Sequence, residues 1–142
     1  MKSPILLFVS CMFFMASVYA DPPAGTDEGK TREVVNHHWQ TFQGNDLDGV
    51  MADYTEDSVL ITPRRTYKGL KEIRDSFVKA YTTYPASTTA MKLNKVVINR
   101  DVGYILWEAS GPKVKLLFGT DTFIVKDGKI IDQTFGGVDG TP

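Results

Sequence analysis

The chain has 142 residues, of which 42% are hydrophobic, 23% charged and 11% aromatic, and 16 Lys+Arg stand against 17 Asp+Glu for a net charge of −1. A charge so close to zero excludes gripping nucleic acid or an anionic membrane by bulk electrostatics. The aromatic content excludes a disordered chain, and the length suits one domain.

Met1–Ala20 reads as a secretory signal peptide. Lys2 supplies the charged start, Ile5 to Met15 is apolar apart from Ser10 and Cys11, and Val18-Tyr19-Ala20 places small residues where a signal peptidase cuts. The apolar run is shorter than the ~20 residues of a membrane span. Cleavage after Ala20 removes Cys11, the chain's one cysteine, leaving no thiolate nucleophile or ligand. The expected location is therefore outside the cytoplasm, periplasmic or secreted, with no membrane attachment after cleavage. Residues 21–31, rich in Pro, Gly and charge, read as a flexible lead-in.

The pattern predicts a first helix over Arg32–Gln43, with Val34, Val35, His38, Trp39 and Phe42 on one face. Gly44-Asn45 ends it. Asn45 is the expected cap of a second helix whose stripe is Leu47, Val50, Met51 and Tyr54. Ser58–Thr62 is a short strand stopped by Pro63, and Arg64–Tyr67 is a loop or short strand. A third helix follows over Leu70–Tyr81. The remainder is β: Ala90–Asn99, Val102–Ser110, Lys113–Lys126 with a bulge expected at Gly119, and, after the Asp127-Gly128 hairpin turn, Lys129–Gly136. Helices first and a strand meander last make an α+β pattern, with helices on one face of an antiparallel sheet.

Four motifs in order resemble the SnoaL-like, nuclear-transport-factor-2-like superfamily. They are Trp39 to Gly49, Tyr54 to Val59, Tyr67 to Ile73, and Thr120 to Ile130. The resemblance places the domain at residues 32–137, with a tail at 138–142. It implies a cone in which a strongly curved antiparallel sheet wraps three helices and leaves one pocket for a small molecule. It also implies a homodimer formed through the sheet, a use that suits strands with apolar residues on both faces, such as Leu116 and Leu117. Members range from isomerases, cyclases and dehydratases to ligand binders and dimerisation modules, so the site must decide the function.

Ketosteroid isomerase is the member to test against. Aligned on Asp46-Leu47-Asp48-Gly49, its helix-one tyrosine position falls on His38, its base position on Thr62 and its late-strand aspartate on Asp121. Threonine is no base near neutral pH. Asp121 sits in mid-strand, with Leu117, Gly119, Phe123 and Val125 as expected face-mates and Leu116, Phe118 and Thr120 on the other face. Pointing into the cone, its carboxyl is a candidate acid or hydrogen-bond donor. His38 is either its acid–base partner or a core histidine satisfied by a carbonyl or by Asp121, while His37 faces solvent. Trp39, Tyr54, Thr62, Trp107, Phe123 and Phe135 are candidate ligand-lining residues; Tyr67 is a further aromatic of that kind.

Adjacent His37 and His38 diverge on a helix and no third histidine exists, so no metal or other cofactor is expected. There is no phosphate loop or serine elbow. The basic cluster Arg64, Arg65, Lys68, Lys71 and Arg74 either attracts an anion or is neutralised by Asp53, Glu56, Asp57, Glu72 and Asp75. The leading expectation is a small-molecule pocket without assigned chemistry. The alternatives are an isomerase, cyclase or dehydratase using Asp121 and His38, and an interaction module. Sequencing the exported protein is expected to find Asp21 at its N-terminus, and light scattering of that form is expected to give the mass of two chains; a start at Met1 or a one-chain mass contradicts the respective expectation.

Overall fold

The computed structural model describes residues 27–141; the expected signal peptide Met1–Ala20 lies outside them. The chain forms α1 (Glu28–Gln43), α2 (Leu47–Met51), β1 (Val59–Ile61), β2 (Thr66–Lys68), α3 (Gly69–Thr83), β3 (Ala90–Asn99), β4 (Val102–Gly111), β5 (Val114–Lys126) and β6 (Lys129–Asp139). The architecture is α+β: three helices against a curved, unclosed six-stranded sheet of order β2-β1-β6-β5-β4-β3.

α1 begins four residues before the expected Arg32, so residues 28–31 are helical and not part of a lead-in. Asp27 caps it by accepting from Lys30 N at 3.0 Å. Thr31 Oγ1 then donates to Arg100 O at 2.9 Å, and Glu28 Oε1 accepts from Arg100 N at 2.9 Å. This turn docks on the β3–β4 hairpin through polar groups, which leave no apolar periodicity to read. Beyond it, Val34, Val35, His38 and Trp39 are buried at helical spacing.

Asn45 is not the cap of α2. It occupies the left-handed region at φ 56°, and Asp46 caps instead, accepting from Gly49 N at 2.9 Å. The Asn45 amide pins the segment after α3, donating to Tyr84 O at 3.1 Å and accepting from Ala86 N at 2.7 Å.

The sheet is antiparallel except at β1–β6, which run parallel with Val59 opposite Asp132. Asp127 (φ 51°) and Gly128 (φ 74°) make the tight β5–β6 turn. β6 runs on to Asp139, past the expected end of the domain, because it pairs with the start of β5.

The β5 bulge falls on Leu117-Phe118, opposite Glu108, and not on Gly119. The extra residue slips the alternation. Leu116 therefore joins Gly119, Asp121, Phe123 and Val125 on the buried face at 2% exposure, while Leu117, expected on that face, is 52% exposed. Phe118 and Val138, register partners on β5 and β6, are exposed beside it. Gly119 lies under the Trp107 indole, where a Cβ would come within 2.9 Å of Trp107 Cε2.

Three of the five residues of the basic cluster are paired: Arg65 with Glu72 (3.4 Å), Lys71 with Asp75 (3.0 Å) and Arg74 with Asp48 (2.8 Å). Exposed pairs of this kind add little stability.

α1 meets β4 where a glycine permits it: a Cβ on Gly103 would overlap Val35 Cγ2. Val35 is 1% exposed and its β-branched side chain has one favoured rotamer in a helix, so it cannot swing aside. Gly103→Ala is expected to destabilise the protein by about 1–3 kcal/mol through overpacking, measured by denaturant unfolding; an unchanged midpoint contradicts this packing.

Candidate functional site

Three neighbouring strands build the polar centre. Asp121 on β5 lies opposite Ile105 on β4 and Phe135 on β6. Its diagonal neighbours on the concave face are Trp107 and Gln133, close enough for long side chains to meet. Trp107 Nε1 donates to Asp121 Oδ2 at 2.8 Å, and Gln133 Nε2 donates to Asp121 Oδ1 at 2.8 Å. Gln133 Oε1 accepts in turn from the Tyr54 hydroxyl, which the segment after α2 carries in from the side. Every donor in this chain points toward Asp121.

Burial drives the Asp121 carboxyl above its ordinary value of 3.8; the Trp107 and Gln133 hydrogen bonds and the nearby His38 oppose that shift without cancelling it. Burial, and then the charges of Asp121 and Asp53, hold the Tyr54 phenol well above its ordinary value. Burial also raises Tyr84.

A cavity of about 90 Å³ opens beside this network. Asp121, Gln133 and His38 supply its main polar groups. Trp39, Phe42, Phe77, Trp107 and Phe135 supply aromatic wall, and Leu60 and Ile105 aliphatic wall. Thr62, Ser76, Ala80 and Tyr84 are its half-buried lining. The structure thus brings His38, Trp39, Thr62, Trp107, Asp121 and Phe135 to one cavity. Thr62 is also engaged by the β1–β2 turn, its hydroxyl donating to Arg65 O at 2.9 Å and accepting from Arg65 N at 3.1 Å.

Tyr54 and Phe123, expected to line the cavity, lie behind it in the core at 4% and 0% exposure. Both are turned against the His38 ring, with centroids at 5.7 and 5.0 Å. His38 does not pair with Asp121. Its Nδ1 faces Asp53 Oδ2 at 3.4 Å, because α1 presents its back edge to the end of α2. His37 is half-exposed as expected, yet its Nδ1 reaches Asp53 Oδ1 at 2.8 Å.

Sequence reasoning missed Gln133, Asp53 and the α3 wall. Gln133 carried a signal, a lone amide two residues before Phe135 on one strand face. Asp53 carried none, since it stands among other acidic residues. Among the described residues no group of three or more His, Cys, Asp or Glu is placed to hold a metal ion.

Residues 35–133 match the family model described as a SnoaL-like domain. The chain belongs to this SnoaL-like family. No curated protein matches it in sequence. Among solved structures it is similar to a candidate ketosteroid isomerase from Kribbella flavida, at 16% identity and TM-score 0.68, covering 82% of this chain and 84% of that one. It is similar to a candidate polyketide cyclase from Sinorhizobium meliloti, at 19% identity and TM-score 0.65, covering 78% and 99%. It is equally similar to a de novo designed protein with a curved β-sheet, at 13% identity and TM-score 0.68, covering 79% and 88%. At these identities the likeness is one of fold alone, and within the SnoaL-like family the site must speak for itself.

The electrostatics of Asp121 give a signed expectation. A carboxyl whose folded value is raised stabilises the fold fully below its ordinary value, and that contribution is withdrawn as pH climbs through the raised value. Asp121→Asn removes the titration and sets an N–H against one of two N–H donors, at a cost of about 1–3 kcal/mol unless Gln133 turns its amide over. The melting-temperature advantage of the native protein over this variant is therefore expected to be largest near pH 4 and to shrink toward pH 8. A difference that is flat or grows with pH contradicts the assignment.

Proposed function

We propose that this SnoaL-like domain, exported under the Met1–Ala20 label, binds one small, largely apolar molecule in the Asp121 cavity and holds its polar end with Asp121 and His38. The observation that supports this reading is a buried carboxyl at one end of a cavity walled mostly by aromatic and aliphatic side chains. Burying that carboxyl costs stability that a well-packed apolar residue in its place would not. Convergent polar groups in an apolar hollow are the usual form of a ligand site. The volume is well above the roughly 10–15 Å³ that one water requires, so the cavity has room for a small molecule.

A second reading, proton transfer of the isomerase, cyclase or dehydratase kind, draws on one further observation. Two ionisable side chains, Asp121 and His38, line the same cavity, and the Asp121 carboxyl has raised proton affinity. With threonine at position 62, Asp121 would take the proton-accepting role there.

Native mass spectrometry of the protein purified without denaturation tests the binding reading. A small molecule carried by the native protein and lost in Asp121→Asn is the expected result. A bare mass, together with failure of small aromatic alcohols to bind at millimolar concentration, contradicts it. If the molecule is a substrate, its turnover follows a bell-shaped pH profile that Asp121→Asn abolishes; binding without turnover leaves the domain a carrier.

A further inference from the structure

His37 and His38 are neighbours on α1, and their side chains leave the helix about 100° apart. Both nevertheless turn Nδ1 to a single carboxylate. His37 Nδ1 lies 2.8 Å from Asp53 Oδ1, and His38 Nδ1 lies 3.4 Å from Asp53 Oδ2. Asp53 is itself fixed at both ends of its backbone. Its N–H bonds to Val50 O at 3.3 Å, and its carbonyl accepts from Ile130 N at 2.8 Å, tying the end of α2 to the sheet.

The His37 side chain is 49% exposed, whereas those of His38 and Asp53 are 4% and 8% exposed. His38 Nδ1 and Asp53 Oδ2 are enclosed, and neither makes a hydrogen bond among the described residues; the 3.4 Å between them is a polar contact and not an aligned hydrogen bond. The rings of Tyr54, Phe77 and Phe123 surround the imidazole. Each of the two atoms is thus the polar group the other has to face.

We propose that Asp53 is a positioning residue that fixes His38 as the tautomer with its hydrogen on Nδ1, so that His38 meets the cavity with an unprotonated Nε2. The warrant is donor and acceptor inventory. A carboxylate only accepts, so the nitrogen facing it carries the hydrogen, and in neutral imidazole the other nitrogen keeps the lone pair. His37 occupies Oδ1 from the solvent side and holds the carboxylate in register.

Asp121 adds two more acceptor oxygens to the same cavity, each already receiving an N–H. Together with His38 Nε2, these oxygens favour molecules that bring a donor: an alcohol, a phenol or an amine. This selection rests on the binding reading above; the tautomer does not.

The experiment is imidazole NMR on the 15N-labelled protein at pH 8, where a histidine is ordinarily neutral. The chain has two histidines, so His37→Gln identifies both ring systems. The expected spectrum of the ligand-free protein shows His38 protonated at Nδ1 and unprotonated at Nε2. A hydrogen on Nε2 overturns the proposal. In Asp53→Ala the two tautomers of His38 are expected to mix; a ring held wholly as the Nδ1–H form without Asp53 also overturns it.

Titration with phenol and with anisole, which has the same ring without the donor, then reads the selection. Phenol is expected to shift the His38 Nε2 resonance and to bind roughly tenfold more tightly, the loss of one buried hydrogen bond. Equal binding of the two overturns the selection. If neither binds, the ligand-binding reading falls, while the ligand-free spectrum still decides the tautomer.

Discussion

The Trp107 indole meets two demands at one place. Its ring packs against Trp39, Phe42, Tyr84 and Phe135, with centroids 5.7 to 6.1 Å apart, so it joins α1 and the segment after α3 to the sheet. Its Nε1 donates to Asp121 Oδ2 at 2.8 Å, which satisfies a donor that burial would otherwise leave unpaired. It can lie flat on β5 because position 119 is glycine. The bulge just before that glycine keeps Leu116 on the same face, so the wall behind the indole is apolar. Cavity, carboxyl and helix packing all follow from where this one side chain lies.

The hydrogen bonds around Asp121 have a fixed direction. Indole N–H can only donate, which sets one end of the chain. The Gln133 amide is free to turn, but the Tyr54 hydroxyl and the Asp121 carboxylate on either side agree on one orientation, with Oε1 toward the phenol and Nε2 toward the carboxylate. The network converges on an acceptor in a region of low dielectric, where satisfied polar groups specify a unique arrangement and unsatisfied ones are costly. The same burial that makes the carboxyl expensive raises its proton affinity, so the structural cost and the chemical capacity of Asp121 have one cause.

On the other side of the cavity, His38 is held by a different device. The carboxyl it faces, Asp53, comes from the end of α2, and its ring is enclosed by aromatic edges. One carboxyl, Asp121, thus lines the hollow, and the other, Asp53, stands behind the histidine that lines it. A designed protein matches the same curved sheet as closely as a candidate isomerase does. The sheet is therefore scaffold, and what distinguishes this SnoaL-like domain is the set of side chains the scaffold makes converge.

Local patterns carried much of this structure. Alternation in β4 placed Ile105, Trp107 and Ala109 on one face, helical spacing placed Val34, Val35, His38 and Trp39 together, and Asp127-Gly128 marked its turn, because each depends on neighbours a few residues away. His38, Trp107 and Asp121 were therefore legible as candidates, and Thr62 entered through the resemblance to ketosteroid isomerase. Their partners were not. The bulge at Leu117-Phe118 is set by how β5 pairs with β4 and β6, and one extra residue moved Leu117 from the expected inner face to solvent. The start of α1 rests on Arg100, 69 residues beyond Thr31. Asn45 leaves its expected cap to hold the segment after α3. The parallel pairing of β1 with β6, the choice of Asp53 over Asp121 by His38, and the convergence of Gln133 on Asp121 all join segments far apart in the chain. Sequence by itself determined which faces are apolar and where the chain turns; tertiary structure alone decided which polar groups meet, because hydrogen-bond partners are chosen by three-dimensional register and no local periodicity records it.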